Sequence, residues 1–102
     1  MENAKSIFEE IIKYFNGALS KERNQIFFEL ETKVDETTGV IEKNVILFRG
    51  KERVVTFAGN DHIDSPKSTP KKIEASLENR VFTRAIKDIF LEGIDSFQSK
   101  PF

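Results

Sequence analysis

The chain has 102 residues, of which 38% are hydrophobic and 32% charged, and this length fits a single domain, 1–102. The 16 Lys and Arg against 17 Asp and Glu leave a net charge of -1, which excludes a polycation that binds nucleic acid through bulk charge alone. The absence of Cys excludes disulfide scaffolds, thiol nucleophiles and zinc sites built on Cys.

Apolar residues at spacings of three and four predict an amphipathic first helix over about residues 3–16. Asn3 or Ser6 can cap its start, and Ser6 with Glu9 fits a capping box. Gly17 suits the left-handed residue that ends a helix. The apolar stripe of this helix consists of Ile7, Phe8, Ile11, Ile12, Phe15 and Leu19.

Three strands follow. Alternating apolar and polar residues predict the first over 25–34, and β-branched residues predict the others over 40–48 and 53–58. Turn-forming residues at 35–39 and 49–52 join them by short connections, so we expect an antiparallel meander.

A loop is predicted over 59–69, and a second helix begins after it with Thr69 as N-cap and Pro70 as its first residue. The apolar pattern of this helix continues to about residue 98, with Gly93 as a weak point. At ~1.5 Å per residue it would reach about 43 Å, more than a sheet of this size covers. The helix therefore either breaks near Gly93 or packs its end against something else.

This order predicts an α+β fold of two layers, α-β-β-β-α, in which a three-stranded antiparallel meander packs on an N-terminal and a long C-terminal helix. Apolar residues occur on both predicted sheet faces, because Phe27 points away from the face that carries Ile26 and Phe28. Either a second copy of the chain covers the second face, or the twist of the strands or the second helix hides these residues within the monomer.

Charges on the second helix separate by sign. On a helical wheel, one sector carries the cations Lys72, Arg80, Arg84 and Lys87. A different sector carries the acidic residues Glu74, Glu78, Asp88, Glu92 and Asp95. Lys67, Lys71 and Lys72 add positive charge at the helix start, where it opposes the helix dipole and a bound phosphate would offset it. Separation of sign suggests a surface that meets a partner, and chance clustering on a solvated face is the alternative.

The only cluster that suggests chemistry is Asp61, His62, Asp64 and Ser65 in the predicted loop. Its spacing matches neither a metal site nor a Ser-His-Asp triad, and Asp is expected in loops anyway. We therefore predict that the chain is not an enzyme and has no catalytic residue, metal site or cofactor.

The α-β-β-β-α order resembles that of double-stranded-RNA-binding domains and of the small Alu-RNA-binding subunits of signal recognition particle. The first family places lysines at the start of its last helix, and Lys71 and Lys72 with Lys67 are the matching positions. The Gly-rich loop of that family is not reproduced here. The resemblance implies binding of structured RNA, and the candidate phosphate contacts are Lys67, Lys71, Lys72, Arg80, Arg84 and Lys87.

Two functions are predicted from different classes. The first is a non-catalytic protein-interaction module, most simply a homodimer, which uses the second helix and the sheet face around Phe27. The alternative is a structured, double-stranded RNA-binding domain that uses the basic stripe of the second helix. No secretory signal is found, and the longest apolar run, Val45–Phe48, is far too short to span a bilayer, so we predict a cytoplasmic protein without a membrane partner.

Overall fold

Two helices and three strands follow one another in the predicted order in a computed structural model that describes residues 3–19, 25–63 and 69–93. The elements are α1 (Ala4–Leu19), β1 (Ile26–Asp35), β2 (Val40–Arg49), β3 (Glu52–His62) and α2 (Pro70–Glu92). The strands form one antiparallel sheet in the order β1-β2-β3, with β2 in the centre. The α+β prediction is therefore confirmed. Neither described helix is long and apolar enough to cross a membrane.

Helix α1 starts where the sequence predicts and ends later. The Asn3 side chain caps it, because its Oδ1 accepts a hydrogen bond from the Ser6 backbone N–H at 2.9 Å. The prediction that Gly17 ends the helix is wrong, since α1 runs through it to Leu19. Gly17 is not among the glycines with positive φ, so it keeps a helical backbone. Beside it, the Asn16 amide donates to the Ile26 carbonyl at 2.8 Å and accepts from the Ile26 N–H at 2.5 Å. These bonds hold the last turns of α1 against the first residue of β1.

Strand β3 is longer than predicted, and the prediction of a loop from Gly59 onward is wrong up to His62. In the β2–β3 ladder, Lys43 pairs with Gly59 and Val40 pairs with His62. The full length of β2 supplies backbone partners here, and this pairing overrides the low strand propensity of Gly, Asn and Asp. Gly59 also lets α2 approach, because a Cβ on it would lie 2.9 Å from Val81 Cγ2.

Helix α2 begins and ends at residues that the sequence identifies. Thr69 is the N-cap, with its Oγ1 accepting from the Lys72 N–H at 3.3 Å, and Pro70 follows it. The helix ends at Glu92, where Gly93 adopts φ 78° and donates its N–H to the Ile89 carbonyl. Of the two predicted alternatives, a break near Gly93 is the one that occurs. Residues 94–102 lie outside the described part of the chain.

Both helices pack on one face of the sheet, around three aromatic rings. Phe8 from α1 and Phe82 from α2 are fully buried, and their ring centroids lie 5.3 Å apart. Phe28 from β1 packs against them at 5.1 and 5.5 Å. The buried core consists of Ala4, Phe8, Ile12, Ile26, Ile41, Val45, Leu47, Phe57, Ile73, Leu77, Val81, Phe82, Ala85 and Ile89.

The opposite sheet face carries fewer exposed apolar side chains than the sequence suggests. Ile46 lies on this face of the central strand, outside the helix-covered core, yet it is only 4% exposed. Its ladder neighbours Glu29 and Thr56 flank it on the two edge strands. Phe27 stacks on Phe48 with centroids 5.0 Å apart. The monomer itself therefore buries Ile46, and Phe27 remains 41% exposed.

Candidate interaction surfaces

An apolar groove lies between α1 and the end of α2. Its volume is about 520 Å³. Several of its side chains are open to water, and Tyr14 and Phe90 are 73% and 75% exposed. Isolated exposed apolar residues are ordinary, but several in one concave surface mark an interaction site. The lining residues, here called the apolar groove, are Ile7, Glu10, Ile11, Tyr14, Phe15, Ile89 and Phe90.

The groove exists because the apolar stripes of both helices are wider than the core can cover. On α1, Phe8 is buried in the core while its neighbour Ile7 is 40% exposed. On α2, Ile89 is buried and Phe90 points to solvent. The sequence did not reveal this site, because Ile7 and Ile11 fall in the same apolar stripe as the buried Phe8 and Ile12. The available signal was the run of adjacent apolar pairs, since one packing face rarely covers two neighbouring residues of a helix.

A second, polar cleft of about 490 Å³ lies at the start of the two helices. Beneath it, the Lys43 side chain is only 3% exposed, and its Nζ lies 2.7 Å from Glu74 Oε1 and 3.3 Å from Glu78 Oε2. The same ammonium donates to Thr32 Oγ1 at 2.6 Å. This buried cation is therefore fully partnered. The cleft is lined by Asn3, Lys5, Lys71, Glu74, Ala75, Glu78 and Asn79.

The ion pair between Arg80 and Asp61 fastens α2 to the end of β3. Arg80 Nη2 lies 2.5 Å from Asp61 Oδ2. The backbone N–H of His62 also donates to Asp61, at 2.8 Å. These bonds lower the pKa of the Asp61 carboxyl from its ordinary value, the His62 N–H most and Arg80 next.

The separation of charge on α2 thus has an intramolecular use. Glu74 and Glu78 of the acidic sector pair with Lys43, which the sequence had not identified as buried. Arg80 of the basic sector pairs with Asp61. These pairs occupy two of the five acidic residues and one of the four basic residues, so part of the pattern serves contacts within the monomer.

The remaining predicted contact residues fall in different surroundings. Lys71 lines the polar cleft beside two carboxylates. The other exposed cations of α2 make no ion pair with any residue that the structure describes; they are Lys72, Arg84 and Lys87. Lys67 lies outside the described residues, and Phe27 is stacked on Phe48 as above.

Of the cluster around His62, the structure describes only Asp61 and His62, and these two do not form a site together. Asp61 and His62 are adjacent in β3, so their side chains point to opposite faces, and Asp61 is occupied by Arg80. Within residues 3–19, 25–63 and 69–93, no three His, Asp or Glu side chains converge as a metal site requires. Asp64 and Ser65 lie outside these ranges.

No protein-family model, curated protein or solved structure matches this chain. The resemblance of the element order to RNA-binding families therefore rests on topology alone, and a function has to be argued from the surfaces described above.

Proposed function

We propose that this chain is a non-catalytic protein-interaction module that forms a homodimer through the apolar groove. The observation that carries the proposal is the exposure of Ile7, Tyr14 and Phe90 on one concave surface. Burial of apolar area contributes about 25 cal/mol per Å², and the few residues that dominate binding at protein interfaces are enriched in Trp, Tyr and Arg.

A second copy fits this groove because the same patch offers both parts of a contact. Ile11 and Phe15 are half-buried in the groove, while Tyr14 and Phe90 project from it. A two-fold interface needs a surface that is complementary to itself, and a patch with both a groove and projecting rings meets that need. A net charge of -1 per chain keeps the repulsion between two copies small.

The proposed interface differs from the one that the sequence suggests. The sheet face around Phe27 offers less apolar surface, because Ile46 is buried and the Phe27 ring rests on Phe48. The groove between the helices exposes more, so we place the contact there and treat the sheet face as the competing location.

Structured-RNA binding is the second candidate. The observation in its favour is that Lys72, Arg84 and Lys87 are exposed on α2 and make no ion pair with described residues. It ranks second because Arg80 is paired to Asp61 and Lys71 shares its cleft with Glu74. Carboxylates near a basic stripe repel phosphates and weaken such binding.

Size-exclusion chromatography with light scattering at micromolar concentration tests the homodimer. We expect a mass of about twice 11.7 kDa. Tyr14→Glu should produce a monomer, since it replaces an exposed aromatic ring of the groove with a charge. Phe27→Glu is the matched control, because it makes the same aromatic-to-carboxylate change on the opposite sheet face and should leave the dimer intact.

The outcomes separate the alternatives. A wild-type chain that is still monomeric at ~100 μM has a free energy of dimerisation weaker than about -5.5 kcal/mol. That result contradicts the homodimer. A dimer that is lost in Phe27→Glu and kept in Tyr14→Glu places the interface on the sheet instead. Far-UV circular dichroism of each variant checks that both still fold.

A further inference from the structure

We propose that Asn16 is a site of spontaneous deamidation, a modification that the contact between α1 and β1 slows and that breaks this contact once it has occurred. Asn16 is followed directly by Gly17, and its amide is the group that joins α1 to Ile26. One side chain is therefore both open to a chemical reaction and used as a junction inside the fold. The modification does not depend on the proposed homodimer, because the junction lies within a single chain.

The reaction needs only the chain itself and water. The backbone nitrogen of Gly17 attacks Cγ of the Asn16 side chain, a new C–N bond forms, and the amide nitrogen leaves as ammonia. The product is a cyclic succinimide. Water then adds to one of the ring carbonyls and opens the ring to aspartate or to isoaspartate. Glycine favours the ring closure, because it has no Cβ to crowd the attacking nitrogen and its backbone is conformationally free.

The folded chain opposes this ring closure in two ways. The Asn16 amide is fixed on Ile26, since its Nδ2 donates to the carbonyl at 2.8 Å and its Oδ1 accepts from the N–H at 2.5 Å. Gly17 lies inside α1, where helical geometry directs its N–H at the carbonyl four residues earlier and away from the Asn16 side chain. The ring can therefore form only when the end of α1 opens.

The end of α1 is positioned to open more readily than the core. Asn16 and Gly17 lie in its last turn, and helix ends open at a lower free energy than buried segments. A Cβ built on Gly17 would meet nothing within 4 Å, so no side chain that the structure describes packs over it. Glycine also loses more backbone entropy in a helix than alanine does. Deamidation in the folded protein should therefore be slow, at a rate that this opening determines.

Deamidation breaks the junction because a carboxylate cannot replace the amide. Aspartate at position 16 has no N–H to donate to the Ile26 carbonyl, and one of its oxygens would stand against that carbonyl oxygen. Isoaspartate in addition inserts a methylene group into the backbone, which interrupts the helix before Gly17. Both products release the last turn of α1 from the first residue of β1.

Peptide mass spectrometry after incubation in mildly alkaline buffer measures the reaction. Asn44 is the reference within the same chain, because the β-branched Val45 follows it and hinders ring closure. In urea, we expect Asn16 to convert at least about tenfold faster than Asn44. Without urea, Asn16 should convert at least about tenfold more slowly than in urea, since α1 must open first. Gly17→Ala is the matched control, because it keeps Asn16 and should suppress the conversion in urea.

Asn16→Asp tests the structural consequence. We expect it to raise the equilibrium constant for unfolding about tenfold, because one hydrogen bond is lost and the Ile26 carbonyl faces a negative charge. Asn3→Asp is the matched control: it makes the same change at an exposed helix cap, where aspartate is as favourable as asparagine. Its unfolding equilibrium should match that of the wild type.

Three results would each overturn the proposal at a different step. Conversion of Asn16 in urea no faster than that of Asn44 would show that the site is not favoured. Equal rates with and without urea would show that the contact with β1 does not slow the reaction. An Asn16→Asp chain that unfolds like Asn3→Asp would show that the modification leaves the junction intact.

Discussion

Gly17 and Gly59 lie in opposite surroundings, one open and the other closely packed. Gly17 lies inside α1, and a Cβ built on it meets nothing within 4 Å. Gly59 lies in β3 beneath α2, where a Cβ would stand 2.9 Å from Val81 Cγ2 and 3.1 Å from Leu77 Cδ1. The first glycine costs helix stability, and the second makes room for close packing.

The same substitution should therefore act in opposite directions. Gly17→Ala should raise the free energy of unfolding by about 0.5–1 kcal/mol, since alanine loses less backbone entropy in a helix. Gly59→Ala should lower it by about 1–3 kcal/mol, because the buried, β-branched Val81 has little room to move. Urea unfolding measures both. Equal stability of Gly59→Ala and wild type would show that α2 does not pack closely on β3.

Asp61 should make the stability of the fold depend on pH at the acid end. Its folded-state pKa is lowered, so its contribution is present above the unfolded value of about 4 and is lost as pH falls through the folded value. The melting temperature of the wild type should fall on acidification below about pH 4, and that of Asp61→Asn should fall less steeply. If the melting temperatures of the two proteins decrease equally with falling pH, this role of Asp61 is contradicted.

At the scale of the elements, Lys43 links the central strand to α2. Its ammonium reaches Glu74 and Glu78 from below the helix, and Thr32 on the neighbouring strand accepts from it. A buried ion pair contributes little net stability, because burial removes the charges from water. Removing its partners alone is costly, since an uncompensated charge stays buried.

Substitutions at this cluster should show that asymmetry. Glu74→Gln/Glu78→Gln should lower the free energy of unfolding by on the order of 2–3 kcal/mol, less than for a fully enclosed pair because Glu74 is partly open to water. Lys43→Met should be near neutral, and adding it to the double variant should restore most of the loss. Chemical denaturation measures all three. A large loss in Lys43→Met itself would contradict the argument.

At the scale of the whole molecule, the charge distribution argues against tight RNA binding. The net charge is -1, and Arg80, one of the exposed cations of α2, is already paired with the Asp61 carboxylate. Titration with a structured duplex RNA at ~50 mM salt, where electrostatic binding is favoured, should show no affinity tighter than micromolar. Nanomolar binding that weakens steeply with salt, and that disappears when the charges of Lys72, Arg84 and Lys87 are reversed, would favour RNA binding over homodimerisation as the function.

Local chemistry was enough to predict the order and the ends of several elements. Asn3 and Thr69 cap helices because a short polar side chain satisfies N–H groups within its own turn, and Gly93 ends α2 because it alone tolerates the required φ without strain. Period-two alternation likewise identified β1, and β-branched residues identified β2 and β3. These signals are carried by neighbouring residues, so they are visible before the chain folds.

Contacts between distant residues were decided by the tertiary structure. Gly59 reads as a loop residue and becomes a strand residue because β2 pairs with it, and Gly17 stays helical in a turn that Asn16 holds to Ile26. In the sequence, Lys43 resembles a solvent-exposed lysine on a half-exposed strand. In the fold it is buried, because two carboxylates of α2 pack over it.

The candidate site belongs to this second class. Periodicity placed the described buried residues of both helices on apolar stripes, but it does not report how much of a stripe the packing neighbours cover. Ile7 and Phe90 remain exposed because α1 and α2 each meet the sheet and one another along a narrower face than their stripes supply. The width of a stripe is a property of one helix, whereas its coverage depends on where the other elements pack.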